Sequence, residues 1–533
     1  MKNEEKLIRP LYKKSIFIFR RDLRIEDNTG LTNAILSSDF VYCFYILDSN
    51  ILSTKSSYTS FSLPIDPHIL LRRRQQRIHL LNFLRESLLN LQRQFEKPIF
   101  KNEKTKKSER NFSVSKKLVF VFGDVSSIIK KIIQIDKDIE TIFVNRDYTP
   151  YSRKRDNMIK KICESFNIKF IECKDILINE PEEILNVNNK PYRIFSQYYN
   201  KAIELPLKKN NSLDMEKLLS NVTIFDDAKL RNIVNIKVIY DLDKFFSLIN
   251  PRQKDSFYNS QILVGSRDSY LRLVSKLIST NKKYDINKTK YSFYRSASYF
   301  SSYLKFGLCS IREVYSSIHN GLGQNHPLLR QLYWRDFFVY IGFHFPFVFS
   351  NNFQERYSGK NTIKWKNDPM EFEAWCKGKT GFPIVDAGMR ELNETGFMHN
   401  RARLITASFL VKDLHVDWRY GERYFALKLV DYDPAINNGN WQWVASTGCD
   451  TQPFFRIFNP WLQQKKFDPN CIYIKKWIPE LREISNDTIN NWHKDDLSID
   501  NFTNPPQSIN YPKPIVNHKN EIIITKEMYK TLK

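Results

Sequence analysis

The hydrophobic pattern of this chain changes part of the way along it, and that change constrains the fold more than any other feature. Up to about residue 180, short apolar runs lie at Ile16–Phe19, Phe40–Ile46, Leu118–Phe122 and Ile142–Val144. Unbroken apolar runs of this length are typical of strands buried on both faces. Between them lie the amphipathic segments Leu70–Leu91, Val125–Ile135 and Ser152–Phe166. Strands that alternate with helices predict an α/β fold, a Rossmann-like, doubly wound parallel sheet.

From about Asp255 the pattern becomes helical, and the predicted helices are Asp268–Ile278, Leu328–His344, Phe382–Glu394 and Asn400–Lys412. All nine tryptophans lie in this half. Clustered tryptophans fit stacking on a planar ligand and core filling equally well. We therefore predict an α/β domain at 15–180, a long connector at 181–254, an all-helical domain at 255–510 and a short tail at 511–533.

Charge and composition narrow the class of protein. The formal net charge is +25, a field that attracts nucleic acid first and anionic membrane second. A general bias of the sequence toward Lys and Asn is the alternative explanation. The basic, aperiodic segment Lys101–Lys117 predicts an insertion loop, with a nuclear-address signal as the other interpretation.

The sequence also lacks the usual signals of a membrane, secreted, disulfide-bonded or zinc-binding protein. No run approaches the ~20 apolar residues that cross a bilayer, and the first residues, Met1–Glu5, are too charged for a signal peptide. The seven cysteines are scattered and odd in number, which disfavours a disulfide framework or a zinc site. No GxGxxG follows the first strand. We expect a soluble, intracellular protein without a metal.

Four segments carry residues suited to chemistry. The hydroxyls of Ser296–Gly307 at a predicted helix start suit a phosphate, or serve only as helix caps. Gln331, Trp334 and Arg335 fall on one helical face and could grip an extruded base beside its phosphate. A partly buried Trp with solvated neighbours is the alternative explanation.

The other two segments are richer in charge. Asn400, Arg401 and Arg403 place phosphate-binding and base-binding groups at a helix start, whereas His399 is more typical of a structural hydrogen bond. Asp431 could pair with one of these arginines. Asn437 could face a ring nitrogen of a cofactor.

These segments together resemble the photolyase/cryptochrome family. The motifs are RRDLRIEDN (Arg20–Asn28), YLKFG (Tyr303–Gly307), WRDFF (Trp334–Phe338), Thr380–Arg403, NNGNWQW (Asn437–Trp443), FFRIFNP (Phe454–Pro460) and YPKPIVNHK (Tyr511–Lys519). The match runs from about Phe17 to Lys519. It implies a helical domain that holds FAD and a reaction in which light-excited reduced FAD passes one electron to a flipped-out thymine dimer.

The resemblance also implies roles for single residues. FAD would be lined by Tyr284, Ser298, Ser301, Arg403, Asp431, Tyr432, Asp433 and Asn437, with Arg403 paired to Asp431. Electrons would reach the flavin through Trp365, Trp418 and Trp441. Trp334 and Trp443 would sandwich the dimer. The lesion and its phosphates would be held by Gln331, Arg335, Asn400, Arg401, Arg456 and Gln463.

Within the family, four features favour repair of cyclobutane dimers over the other branches. Asn400 and Leu404 stand where (6-4) photolyases have histidines, and Trp441-Gln-Trp443 replaces the WTY of the DASH group. Plant cryptochromes have Asp at the position of Asn437, and signalling cryptochromes append a long tail after the closing motif. We therefore predict a deoxyribodipyrimidine photo-lyase, with a cryptochrome-like light receptor and a flavin-free DNA-binding module as alternatives.

Some positions depart from the family pattern. Gln331 replaces the Glu of class I repair enzymes, Ala297 replaces a Thr near the FAD phosphates, and Phe397 replaces a Trp. Tyr151-Ser152 stands where folate-binding relatives have Asn-Glu, so no folate antenna is predicted and the second chromophore stays open. Double-stranded DNA with pyrimidine dimers is the expected partner, and a monomer the expected state.

Overall fold

A computed structural model describes residues 10–52, 77–96, 117–207, 219–230, 233, 235–249, 263–281, 298–358, 362–493 and 510–530. The predicted insertion loop at 101–117 lies, apart from Lys117, outside this range. Within it, no helix is both long enough and apolar enough to cross a membrane.

The first half contains one six-stranded sheet. Its strands are β1 Tyr12–Phe19, β2 Ser38–Asp48, β3 Leu118–Gly123, β4 Ile139–Asn145, β5 Lys169–Cys173 and β6 Lys237–Ile239. The strand order is β5-β4-β1-β2-β3-β6. Every pairing is parallel except that of β6 with β3. The predicted parallel sheet is confirmed, with an added antiparallel edge strand.

Residue alternation explains why the central strands are apolar throughout. Ile16 and Ile18 of β1 pack into a cluster with α4 and α5, whose bounds are Val125–Ile135 and Pro150–Ser165. Phe17 and Phe19 point the other way, into a cluster with α1 (Thr29–Ser37) and α3 (Ile78–Glu96). Both faces of the sheet are therefore buried, as the unbroken apolar runs predict. The remaining helices of the first 250 residues are α2 Ser49–Leu52, α6 Phe195–Glu204 and α7 Leu242–Ile249.

The second half is helical, as predicted. Its helices are α8 Arg267–Asn281, α9 Phe300–Phe306, α10 Ile311–Leu322, α11 Pro327–His344, α12 Pro369–Lys377, α13 Pro383–Thr395, α14 Asn400–Lys412, α15 Trp418–Lys428, α16 Pro434–Ala445, α17 Pro460–Phe467, α18 Ile472–Trp477, α19 Asn486–Asn490 and α20 His518–Lys530. Several begin with a proline preceded by a capping side chain, which is the usual start signal. Asp433, for example, accepts from the backbone N–H groups of Ala435 and Ile436.

The two halves meet closely at the carboxyl end of β1. Gly307, which ends α9 with φ +66°, lies so near the loop after β1 that a Cβ there would be 2.1 Å from the carbonyl oxygen of Arg21. The amide of Leu23 donates to the carbonyl of Phe306 at 3.0 Å. Only glycine fits this position, because it needs both a left-handed backbone and the absence of a side chain. The YLKFG motif thus fastens the helical half to the sheet.

Candidate functional site

Two helices that carry predicted site residues, α11 and α16, pack directly against each other. A Cβ on Gly439 of α16 would lie 2.1 Å from the ring of Phe338 on α11, and one on Gly342 would lie 3.4 Å from Ala435. Small residues therefore let the two backbones approach closely. The helix that bears Gln331, Trp334 and Arg335 is in this way held against the helix that bears Asn437, Trp441 and Trp443.

The predicted pairing of Arg403 with Asp431 is present. Arg403 Nη2 donates to Asp431 Oδ2 at 2.9 Å, and its Nε donates to the carbonyl of Met398 at 2.7 Å. Asp431 Oδ1 is buried without a hydrogen-bond partner among the described residues. An unsatisfied buried carboxylate oxygen is costly, so this atom is suited to a donor on a ligand. Phe397 lies beside the pair, with the Arg403 guanidinium 5.5 Å from its ring centre.

Asp433 sits where the sheet meets α16. Its Oδ2 accepts from Arg21 Nη2 at 2.5 Å, and Arg21 Nη1 also donates to Asp147 at 3.3 Å. Burial by itself raises the pKa of Asp433, but Arg21 and Lys305 outweigh it and hold the pKa below its usual value. Burial, with help from Arg21, lowers the pKa of Lys305 to about 8. These groups form a strongly charged wall close to Asp431.

Asn437 is held by the neighbouring helix α15. Its Nδ2 donates to the carbonyl of Glu422 at 2.9 Å, and the next residue, Asn438, donates to the Glu422 carboxylate at 2.9 Å. Asn438 Oδ1 in turn accepts from Gln442. Burial raises the pKa of Glu422 to about 7. The amide predicted to face the flavin is therefore held against α15 by its hydrogen bond to the Glu422 carbonyl.

The remaining predicted cofactor residues are placed less completely. Ser298 is half-buried before α9, and Ser301 is exposed in the first turn of that helix. The hydroxyl of Ser302 is buried without a hydrogen-bond partner in the described part of the chain. Tyr432 is half-buried between the two aspartates. Tyr284 and Ala297, by contrast, fall outside the described residues.

The predicted tryptophan chain lies in one helical cluster. Trp441 and Trp418 are buried, and Trp365 is half-buried at the edge. The indole of Trp418 donates to Asn352 at 3.1 Å. The ring of Trp441 contacts Trp375 at 6.2 Å between centroids, a residue the sequence reasoning did not assign. Trp365 therefore lies nearer the surface than Trp418 and Trp441, which are both buried.

The predicted lesion-binding residues differ in exposure. Trp334 and Trp443 are half-buried, while Gln331, Asn400 and Arg456 are exposed. Two basic residues already have partners in the chain. Arg335 donates to the carbonyl of Ile176 and to Asp336, and the Arg401 guanidinium lies 4.6 Å from the ring centre of Phe467. Gln463 Oε1 is buried without a partner among the described residues.

His399 is a helix cap. Its Nδ1 accepts from the backbone N–H of Arg401 at 3.1 Å, at the start of α14. Burial, together with Arg403 and Arg401, lowers its pKa to about 4, so the ring is neutral at pH 7. This matches the structural role that the sequence favoured.

Sequence reasoning missed Arg21, Lys305, Glu422 and Asn438 as parts of the site. Arg21 and Lys305 belong to motifs that were recognised, RRDLRIEDN and YLKFG, but neither motif says where its cation points. Asn438 stands beside Asn437, and a pair of adjacent amides could have drawn attention to it. Glu422 carries no local signal, because its partners come from another helix.

Comparison with known proteins shows which family this chain resembles. The family model described as DNA photolyase matches residues 15–99 and 108–213, and the model described as the FAD binding domain of DNA photolyase matches residues 328–531. The deoxyribodipyrimidine photo-lyase of Vibrio cholerae is 30% identical over 97% of this chain and 99% of its own length. That of Buchnera aphidicola subsp. Baizongia pistaciae is 38% identical over 71% of this chain and 76% of its own length.

A solved structure gives the same result for the fold. The crystal structure of the archaeal photolyase from Sulfolobus tokodaii, which contains two FAD molecules, matches with a TM-score of 0.75 and 34% identity, covering 97% of this chain and 100% of that one. The fold predicted from the sequence, an α/β domain followed by a helical FAD domain, is thereby confirmed. With both family models and near full-length relatives in agreement, this chain belongs to the DNA photolyase family.

Proposed function

We propose that this chain repairs cyclobutane pyrimidine dimers in double-stranded DNA, in a light-dependent reaction that uses FAD. The observation that carries the proposal is the close packing of α11, which bears the half-buried Trp334, on α16, the helix that bears Asn437 and Trp443. The site thus offers an aromatic surface for a base next to polar groups for a cofactor. The curated relatives named as deoxyribodipyrimidine photo-lyases support the same reaction.

The residues present fit FAD. A dinucleotide carries two phosphates and several hydroxyl and ring N–H donors, so its site needs cations and free acceptors. Arg403 and Lys305 supply the positive charge, and the unsatisfied Asp431 Oδ1 supplies an acceptor. We assign the binding to Ser298, Ser301, Arg403, Asp431, Tyr432, Asp433 and Asn437, with Tyr284 from the sequence. When bound and reduced, FAD supplies under blue or near-UV light the electron that opens the dimer.

The protein's part is to extract, hold and orient the lesion. Trp334 and Trp443 offer rings on which a flipped-out dimer can stack, which offsets the cost of unstacking it from the duplex. The net charge of +25 attracts the phosphate backbone. Orientation is assigned to Gln331, Arg335, Asn400, Arg401, Arg456 and Gln463.

The tryptophans of the helical cluster have a separate role in this proposal. Trp365 lies at the edge of the cluster, and Trp418 and Trp441 lie within it. We assign to them the passage of electrons from the surface to an oxidised flavin. A monomer suffices for all these steps, because one groove and one flavin serve one lesion.

The proposal leaves the second chromophore unassigned. Tyr151 and Ser152, which stand at the folate position of some relatives, are bound within the chain. Tyr151 donates to Asp48, and Ser152 Oγ donates to Asp147 at 2.9 Å. These contacts favour a protein without a folate.

The decisive experiment is a repair assay on the purified, photoreduced, flavin-loaded protein. An oligonucleotide with one cyclobutane thymine dimer is mixed with the protein under blue light, and the recovery of thymine absorbance is followed against a dark control. Recovery only in the light supports the proposal. A yellow protein that photoreduces normally but restores no thymine would contradict it and would favour a light receptor.

Trp334 and Trp443, which together we call the lesion clamp, are tested by binding in the dark. Trp334→Ala and Trp443→Ala are expected to weaken binding to dimer-containing duplex by about 5- to 150-fold, because a lost stacking contact costs roughly 1–3 kcal/mol. Binding to undamaged duplex should change little. Phe166→Ala, which removes an exposed ring after α5 in the α/β half, is the matched control. Equal losses on both duplexes would exclude a clamp formed by these rings.

A further inference from the structure

One face of the Trp334 ring is covered by the chain itself. The ring of Phe195, the first residue of α6, stacks on it with centroids 3.6 Å apart and planes 10° apart. The Arg330 guanidinium lies 5.2 Å from the centre of the Phe195 ring. Phe337 meets Phe195 edge-on at 5.6 Å. Trp334 is therefore backed by a fully buried ring, and a base can stack only on what Phe195 leaves uncovered.

The position of Phe195 depends on a residue far away in the sequence. Helix α6 begins at Phe195 after Ile194, which has no side chain able to cap it. The missing cap comes from Asp450, whose Oδ2 accepts from the Phe195 N–H at 3.0 Å. A carboxylate at a helix N-terminus is favoured both as an acceptor and by the helix dipole. The side chain that fixes the start of α6 therefore belongs to the loop after α16.

That loop is itself fastened to Trp443. Thr451, next to Asp450, donates through its hydroxyl to the carbonyl of Trp443 at 2.6 Å. On the other side, the thiol of Cys449 donates to the carbonyl of Arg193 at 2.7 Å, two residues before Phe195. A continuous path thus runs from Trp443 through residues 449–451 to Phe195 and on to Trp334.

We propose that Phe195 and Asp450 form a brace that sets the spacing and tilt of Trp334 relative to Trp443, and so determines the preference for dimer-containing DNA. Both are positioning residues, since neither need touch the lesion. The inference rests on the proposed role of the two tryptophans as the lesion clamp. A flat ring stacked on Trp334 fixes its plane in a way that an aliphatic side chain does not, because aromatic pairs have preferred geometries.

The experiment measures dissociation constants in the dark for a dimer-containing duplex and for the same duplex without damage. The flavin-loaded protein is compared with Asp450→Ala, Phe195→Leu, Asp450→Asn and Asp124→Ala. Asp450→Asn keeps a side-chain oxygen that can cap α6. Asp124→Ala removes a cap of the same kind from α4, where Asp124 accepts from Ser127 N–H at 2.9 Å. Flavin content and the free energy of unfolding are recorded for each variant.

Asp450→Ala and Phe195→Leu are each expected to lower the ratio of the two affinities by roughly 3- to 10-fold, the range of a lost aromatic alignment. Flavin content should not change. The double variant should lose no more than the larger single loss, since both act on one brace. Asp450→Asn should keep most of the ratio, and Asp124→Ala all of it, although the latter loses stability.

Two results would overturn the inference, and they differ. If Asp450→Ala and Phe195→Leu keep the native ratio while Trp334→Ala loses it, the clamp stands and the brace does not. If Trp334→Ala and Trp443→Ala also keep the native ratio, the clamp assignment fails and the brace fails with it. Equal weakening on damaged and undamaged duplex leaves this ratio native, so it counts as the first of the two results.

Discussion

The guanidinium of Arg21 donates to the carboxylate of Asp433 at 2.5 Å, across the junction between the sheet and the helical half. Arg21 follows β1, whereas Asp433 caps the helix that carries Asn437, Trp441 and Trp443. The side chain of Asp433 is 3% exposed and that of Arg21 is 16% exposed. A charge pair this deeply buried attaches the α/β half to the N-terminal end of α16.

Replacing Arg21 by Met should therefore destabilise the protein and weaken FAD binding. Asp433 and Asp147 would both lose a cation, and removing one partner of a buried pair costs about 3–5 kcal/mol. Urea unfolding and the flavin retained after dialysis measure the two effects. Lys201→Met, at an exposed pair with Glu204, is the control and should change stability by less than about 1 kcal/mol. Equal stability of the Arg21 and Lys201 variants would show that the junction does not depend on the pair.

Gln331 gives a prediction about turnover. It is exposed on α11, one turn before Trp334, where class I repair enzymes have Glu. A neutral amide can still donate a hydrogen bond to a dimer carbonyl, so we expect repair that is reduced but not abolished. Gln331→Glu should raise the quantum yield of repair and the lesion affinity by about 2- to 10-fold, because a protonated carboxyl donates a stronger hydrogen bond to the dimer carbonyl than an amide does.

The control for this variant is Gln324→Glu, which adds the same charge at an exposed position in the loop before α11. Both variants weaken general attraction to DNA in the same way, so their difference isolates the local hydrogen bond. If Gln331→Glu matches the native protein in turnover and lesion affinity, the residue does not contact the dimer as assigned.

The fold could be predicted where the sequence pattern is local. β1 and β2 are buried on both faces, and their unbroken apolar runs predict this burial. β5 and β6 were not predicted. β5 is an edge strand, Lys169–Cys173, that is partly exposed, and β6 has only three residues, which lie within the predicted connector. A strand of this kind is defined by the neighbour it pairs with, so its own residues carry little signal.

The contacts of the candidate site likewise include some that the sequence predicts and some that it does not. The pairing of Arg403 with Asp431 could be predicted, because a buried carboxylate needs a cation and the family motifs supply one. The partners of Glu422, Asp450 and Phe195 could not, since each is set by packing between segments distant in the chain. Hydrogen bonds between different helices do not follow a fixed residue spacing, so no sequence pattern predicts them.

Glu422 predicts a dependence of stability on pH. Burial raises its pKa from the usual 4.5 to about 7 in the folded protein. The folded state therefore binds the proton more tightly than the unfolded state, and this group's contribution to stability falls as pH rises from about 4.5 to above 7. Glu422→Gln keeps an acceptor for Asn438 and removes the titration.

The measurement is the difference in unfolding free energy between the native protein and Glu422→Gln, at about pH 5 and about pH 8. The native protein should lose stability relative to the variant on going to the higher pH. Because both proteins share every other titrating group, those groups cancel in the difference. A constant difference would mean that Glu422 titrates normally.

The last prediction concerns the contact between Gly421 and Trp441. A Cβ on Gly421 would lie 2.1 Å from Cη2 and 2.5 Å from Cζ3 of the indole, so α15 and α16 approach only because this residue is glycine. Gly421→Ala gains about 1 kcal/mol of helix propensity but overpacks the core, and the net result should be a loss of about 1–3 kcal/mol. Trp441→Phe removes both crowded atoms. Gly421→Ala should therefore cost less stability in the Trp441→Phe background than in the native protein. Urea unfolding of the four proteins gives the coupling, and losses that simply add would mean that the inserted methyl is accommodated without displacing Trp441.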